Sequence, residues 1–115
     1  MEEPTLIKLA GFKAIAGNRE VRLEWVTESE VDNAGFNIYR AETEDGEYIQ
    51  INDSLIAAEG SATGGAPYIY ADTGVQNRQT YYYKLEDIDV WGRSMLHGPE
   101  KATPRFMYGM GQMNR

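Results

Sequence analysis

Few side chains in this sequence could carry covalent or acid-base chemistry. There is one histidine, His97, and no cysteine. The missing thiols remove disulfides, thiolate metal sites and cysteine nucleophiles together. A hydrolase built on His97 would need a hydroxyl and an aspartate beside it, and Ser61 and Ser94 are the serines to consider. Neither stands in a nucleophile-elbow sequence. One histidine among scattered serines is ordinary composition, so no residue is assigned a catalytic role. Carboxylates are plentiful: Glu28, Glu30 and Asp32 share one polar stretch, and Glu42, Glu44, Asp45 and Glu47 another. Glycoside hydrolysis needs two carboxyls facing each other across a cleft, one of them desolvated. Acidic residues of this kind are ordinarily solvated, and the same holds here.

Metal chemistry has one weak foothold. Asp87 and Asp89 alternate ahead of Gly92 in the manner of an opening calcium loop, but the third acidic ligand and the distal glutamate are missing. The plainer expectation is that both aspartates cap a strand end and its turn. Gly109-Met110-Gly111 is too sparse to cradle a phosphate, and no cofactor is expected. Asn52-Asp53-Ser54 fits a glycosylation sequon and reads as chance.

Aromatic residues say more. Eight tyrosines and two tryptophans exceed what inward positions consume. Trp25, Phe36, Tyr81 and Tyr83 fall on core positions by alternation. Tyr39 and Tyr82 point the other way, and Trp91 sits in a late turn. Exposed flat rings beside polar groups stack on sugars or anchor protein partners, which makes Trp91, Tyr82 and Tyr39 the candidate ligand-binding residues. Against this, Trp91 can fold back over an edge, and Tyr39 and Tyr82 can pair across neighbouring strands.

The elements that must position these residues are strands. The chain has 115 residues, enough for one domain that buries roughly two-thirds of its surface. Its 11 Lys and Arg against 18 Asp and Glu give a net charge of −7, which repels phosphate backbones and anionic lipid. No nucleic-acid partner and no membrane insertion are expected, since the apolar runs fall far short of about 18 residues. Met1-Glu2-Glu3-Pro4 is acidic where a signal peptide would be basic and then apolar. The chain therefore either stays inside the cell or is an excerpt of a longer exported protein.

Apolar and polar residues alternate in short segments divided by Gly, Asn and Asp clusters. The first predicted strand is Leu9 to Ala16, turned by Gly17-Asn18-Arg19 with Gly and Asn supplying positive φ. Val21, Leu23 and Trp25 then share a buried face. Thr27 to Ala34 reads as a loop in which Glu30 and Asn33 satisfy loop amides. Gly35 opens a strand with Phe36 and Ile38 on one face. Glu44-Asp45-Gly46-Glu47 suits a type I′ hairpin, Tyr48, Ile49 and Ile51 continue beyond it, and Asn52 to Ala58 reads as a candidate short strand. The glycine-rich stretch Glu59 to Ala66 reads as a mobile loop. Tyr68 to Ala71, Thr80 to Ile88 and Ser94 to Thr103 complete the strands. Residues 1–7 and 104–115 are expected to be flexible, the latter carrying Phe106, Met107, Tyr108, Met110 and Met113.

About seven short strands without a helix predict an all-β antiparallel sandwich. Trp25 lies on the second strand rather than the third, and Tyr81 follows Val75 by six residues across a turn, the layout of a tyrosine corner. With Val21-Arg22-Leu23-Glu24-Trp25 and Tyr81-Tyr82-Tyr83-Lys84-Leu85, these features resemble a fibronectin type III domain over about residues 9 to 103. Trp25, Tyr81, Val75 and Asn33 are the residues expected to be structural. The phrases Ser29 to Arg40, Tyr81 to Asp89 and His97-Gly98-Pro99 are similar to modules of large exported or surface proteins of bacteria and archaea. That resemblance implies a seven-stranded immunoglobulin-like sandwich in an extracellular or cell-surface setting. It implies a non-catalytic, monomeric spacer, adhesion or protein-interaction module, whose partners are neighbouring domains or another protein. The alternative is a polysaccharide-binding accessory using the rings around Trp91. No Arg-Gly-Asp tripeptide is present to carry over integrin binding.

Overall fold

A computed structural model describes residues 4–106. They form eight strands: β1 (Leu6–Gly17), β2 (Glu20–Val31), β3 (Asn33–Ala41), β4 (Ile49–Gln50), β5 (Ile56–Ala57), β6 (Pro67–Asp72), β7 (Tyr81–Asp89) and β8 (Ser94–Ala102). All pairings are antiparallel, in one sheet ordered β1-β2-β6 and another ordered β4-β3-β7-β8, with β5 also on β3. Among the described residues no helix is long and apolar enough to cross a membrane.

Two-residue periodicity builds the core. Val21, Leu23 and Trp25 of β2 meet Phe36 and Ile38 of β3 and Tyr81, Tyr83 and Leu85 of β7, all of them buried. Trp25 stacks on Tyr68 of β6 with centroids 5.3 Å apart, and Phe36 presents its edge to both rings at 5.5 and 4.8 Å. Such pairs each add about 0.5–1.5 kcal/mol beyond the area they bury. The indole Nε1 of Trp25 is buried with no hydrogen-bond partner among the described residues. The Tyr81 hydroxyl accepts the Gln76 amide proton at 2.9 Å, which ties the β6–β7 loop to the sheet as a tyrosine corner does.

Eight strands replace the predicted seven because one edge strand is split in two. Ile49–Gln50 and Ile56–Ala57 both pair with β3. Between them Asn52 turns inward, and its Oδ1 accepts the Ile38 amide at 2.8 Å. A side chain thus takes the ladder bond that a backbone carbonyl would have made.

Several local expectations are corrected. Thr27 to Ala34 is not a loop: β2 runs to Val31 and β3 starts at Asn33, with Asp32 alone turning the chain at φ 56°. The polar run hides a strand because its acid, Glu30, faces inward onto donors. β1 takes in Leu6 and Ile7, and Thr5 and Ile7 are buried. The first turn places Arg19, not Gly17 or Asn18, at positive φ (55°), while the Asn77 side chain holds the Arg19 amide and the Asn18 side chain. The turn at Thr43–Gly46 closes by Gly46 N–H to Thr43 O at 3.1 Å with no positive φ, so it is not type I′. The glycine-rich stretch is fastened along β2 by Glu30 N–H to Ser61 O at 2.7 Å and Thr27 N–H to Ala66 O at 3.0 Å. Gly65 permits this approach, since a Cβ there would lie 1.7 Å from Thr27 O. Of the final segment, Pro104 O accepts the Arg78 amide and Arg105 N–H reaches Gly17 O. Met107, Tyr108, Met110 and Met113 lie outside the described residues.

Candidate functional site

Four carboxylates lie inside the sandwich, and each is held by the fold itself. Glu30 is 3% exposed. Its oxygens accept from Thr27 Oγ1 (2.5 Å), Asn33 Nδ2 (2.9 Å), Tyr68 OH (2.7 Å) and the Gly60 amide (3.3 Å). Burial alone would raise its pKa, but the donors Thr27, Asn33, Tyr68 and Gly60 outweigh burial and hold the carboxyl below the usual glutamate range. The Tyr68 phenol, desolvated and beside Glu30, is pushed up to about 12. Asn33 also accepts the Gly35 amide at 3.1 Å, so it clasps both sides of the β2–β3 turn.

At the other end of the sandwich, Asp72 takes both oxygens to Arg40 Nη1 at 2.9 Å and accepts from Tyr83 OH at 2.8 Å and the Gly74 amide at 3.1 Å. Burial would lower the Arg40 pKa, yet the Asp72 carboxylate beside it raises it. Tyr83, desolvated and bonded to Asp72, is also raised well above the ordinary phenol range.

Asp87 and Asp89 do not form a cation site. Asp89 accepts the Trp91 and Arg93 amides at 3.0 and 2.9 Å and Arg93 Nε at 2.8 Å. Desolvation opposes ionisation there, but the Arg93 and Trp91 bonds prevail and lower its pKa. Asp87 accepts from Thr5 Oγ1 at 2.5 Å and pairs with His97 Nε2 at 2.6 Å. Among the described residues no group of three or more potential ligands is assembled. Asp87 therefore serves as a clasp between the start of β1 and β8, and Asp89 as the organiser of the β7–β8 turn.

This arrangement also disposes of a triad. In a Ser-His-Asp relay the imidazole stands between hydroxyl and carboxylate. Here the carboxylate stands between Thr5 and His97, so the hydroxyl proton goes to Asp87 and no nucleophile is activated. Ser61 instead bonds within its own loop, to Thr63 and Gly64. Ser94 pairs with Ile88 at the start of β8. Asn52 is 5% exposed, with its amide donated to Asn37 and Ser54 O, so the sequon does not present an acceptor nitrogen. Glu42, Glu44, Asp45 and Glu47 are exposed, and Glu28 pairs with Lys8 at 3.6 Å.

The candidate rings occupy two places. Trp91 stands at the β7–β8 turn, 65% exposed, beside exposed Val90 and with the Arg93 guanidinium 5.3 Å from its ring centroid. It does not fold over the edge. Tyr39 and Tyr82 lie on the outer face of the larger sheet, where the register pairs Tyr39 with Lys84 and Tyr82 with Ala41. They are diagonal neighbours, and the direct cross-strand pair is not formed. Tyr39 OH instead donates to Glu86 Oε1 at 3.0 Å, as does Asn37 Nδ2 at 3.2 Å. Lys84 Nζ lies 4.4 Å from the Tyr48 ring centroid. Tyr39, Tyr48, Lys84, Glu86 and Leu96 line a shallow cavity of about 280 Å³. Tyr82 lines a separate one of about 340 Å³ with Glu44, Pro99, Glu100 and Lys101. Sequence reasoning passed over Tyr48, Lys84, Glu86 and Leu96. The available signal was parity, since Lys84 and Glu86 share with Tyr82 the positions of β7 that alternate with the core.

Architecture and site together define an all-β, fibronectin type III-like sandwich whose buried carboxylates are all hydrogen-bonded. No family model and no curated protein matches the sequence. Solved structures show the same fold. One is an Fn3-like protein from Clostridium thermocellum, at 17% identity and a TM-score of 0.61, with 92% of this chain and 99% of that one covered. Another is a beta-1,2-glucanase from Parabacteroides distasonis, at 18% identity and a TM-score of 0.61 over 92% of this chain, which spans only 14% of the glucanase.

Proposed function

We propose that this chain is a non-catalytic module, a spacer or protein-interaction domain of a larger exported or cell-surface protein. The observation that carries the reading is the state of the interior. Glu30, Asp72, Asp87 and Asp89 spend their carboxylates on groups of the fold, and the Nε2 of the single histidine, His97, is taken by Asp87, which leaves no assembled nucleophile and base among these residues. The likeness to a small Fn3-like chain and to a small fraction of a glucanase supports a unit that is appended to other machinery. Contact with neighbouring domains or another protein falls to exposed surface, with Trp91 and Val90 at one tip as the anchor.

A second reading, a polysaccharide-binding accessory, is favoured by the same ring, because a flat exposed indole is what a sugar face stacks on. Incubation with ester, glycoside and peptide substrates is expected to give no turnover, in wild type and His97→Ala alike. Turnover abolished by His97→Ala would overturn the non-catalytic reading. Retention on an insoluble polysaccharide that disappears in Trp91→Ala would select the accessory reading over the spacer.

A further inference from the structure

The outer face of the larger sheet is built differently from the rest of the surface. Glu86 is clamped by one oxygen only: Asn37 Nδ2 and Tyr39 OH both donate to Oε1. Oε2 has no donor among the described residues, and it remains an oriented acceptor. Two residues earlier on β7, Lys84 rests its ammonium over the Tyr48 ring and has no carboxylate partner among the described residues. An acceptor and a donor on one strand face are thus about 7 Å apart along the backbone and not bonded to each other. Leu96 stands across from Glu86 on β8. Across from Lys84, β8 offers no register partner, because the pairing slips between Tyr83 and Leu85. The slip leaves Gly98 and Pro99 there.

From these features we infer that the cavity lined by Tyr39, Tyr48, Lys84, Glu86 and Leu96 is a binding site for a neutral pyranose ring. A hexopyranose has an apolar C–H face and a rim of hydroxyls that both give and take protons. The Tyr39 ring and exposed Leu96 suit the face, since the Lys84 ammonium occupies the Tyr48 ring, while the Glu86 Oε2 accepts from one hydroxyl and the Lys84 ammonium donates to another. The volume of about 280 Å³ lies just below the roughly 300–1,000 Å³ usual for small-molecule clefts, which fits one ring rather than a peptide strand. Charge selects neutrality. The rim carries one acid and one base, so a uronate that pairs with Lys84 is repelled by Glu86 and an amino sugar that pairs with Glu86 is repelled by Lys84. Burial and the Glu86 bond raise the Tyr39 pKa, so the phenol keeps the proton with which it aims the carboxylate.

The test is an amide NMR titration of the whole chain with the methyl glycosides of glucose, mannose, galactose and xylose, with glucuronate and glucosamine as charged probes. The expected result is saturable, millimolar-range shifts of Tyr39, Lys84, Glu86 and Leu96 by at least one neutral glycoside. Glu86→Gln and Lys84→Met should weaken binding by roughly tenfold or more, with the remaining spectrum unchanged, and Ile69→Ser, exposed on β6 of the other sheet, should leave it intact. Absence of shifts from all four glycosides, shifts confined to residues 90–93, full affinity in Glu86→Gln, or a preference for either charged probe would overturn the assignment. Hydrolysis of a bound glycoside would overturn the non-catalytic reading while leaving the site in place.

Discussion

Tyr82 and Tyr83 are adjacent on β7 and meet opposite fates. Tyr83 points between the sheets, fully buried, and donates its hydroxyl to Asp72. Tyr82 points outward onto a shallow cavity. The contrast runs the length of the strand. Inward, Tyr81, Tyr83, Asp87 and Asp89 are each bonded to another part of the fold. Outward, Lys84 and Glu86 keep polar capacity in reserve. Residue type does not decide which role a polar side chain plays, since tyrosines and acids stand on both faces. Parity along the strand decides it.

The hardest way to break the inner half of this comparison is through Glu30. Glu30→Ala leaves four donors without their acceptor, and thermal melts should show a loss of about 3 kcal/mol or more. A variant that melts with wild type would show that the cage contributes nothing. Acid sharpens the same point. The carboxyls of Glu30 and Asp89 are depressed in the folded state. Their stabilisation is therefore complete above the unfolded values near about 4 and is lost as pH falls through the lower folded values. Melting temperature followed downward from pH 6 should fall steeply below about pH 4, and Glu30→Ala should flatten that fall. Next in size is Tyr83→Phe, which deletes one buried bond to Asp72 while Arg40 and Gly74 remain. It should cost about 1–2 kcal/mol in denaturant unfolding. Asn33→Ala removes the clasp on Gly35 and Glu30 and should lower stability by about 1 kcal/mol. An unchanged melting temperature would contradict that role. On the outer face, Lys84→Met should move stability by no more than about 0.5 kcal/mol.

The sandwich was legible where alternation is strict. Val21, Leu23 and Trp25, and later Tyr81, Tyr83 and Leu85, repeat every second residue, and that period places them inward without further information. Glu30 was legible only as a residue that satisfies amides, and its strand was not, because an acid in a polar run carries no apolar period. Tyr68 and Gly60, two of the partners that make its burial tolerable, stand 38 and 30 residues away. The two edge pieces were legible in Tyr48 to Ile51 and Asn52 to Ala58, but nothing in Asn52-Asp53-Ser54 announces a side chain that substitutes for a carbonyl. Trp91 was legible as a turn residue, but its exposure was not, since a turn ring can equally fold back over an edge. The outer cavity was not legible, since it gathers Tyr39 and Tyr48 with Lys84, Glu86 and Leu96 from separate segments that only the folded sheet brings together.

One measurement tests the division between the two faces most directly. Tyr83→Phe and Glu86→Gln, three residues apart on β7, are compared for unfolding free energy and for binding of the methyl glycosides. The account predicts a double dissociation, with Tyr83→Phe less stable but binding as wild type, and Glu86→Gln equally stable but roughly tenfold or more weaker in binding. Binding lost from Tyr83→Phe and kept by Glu86→Gln, or stability lost equally by both, would contradict it.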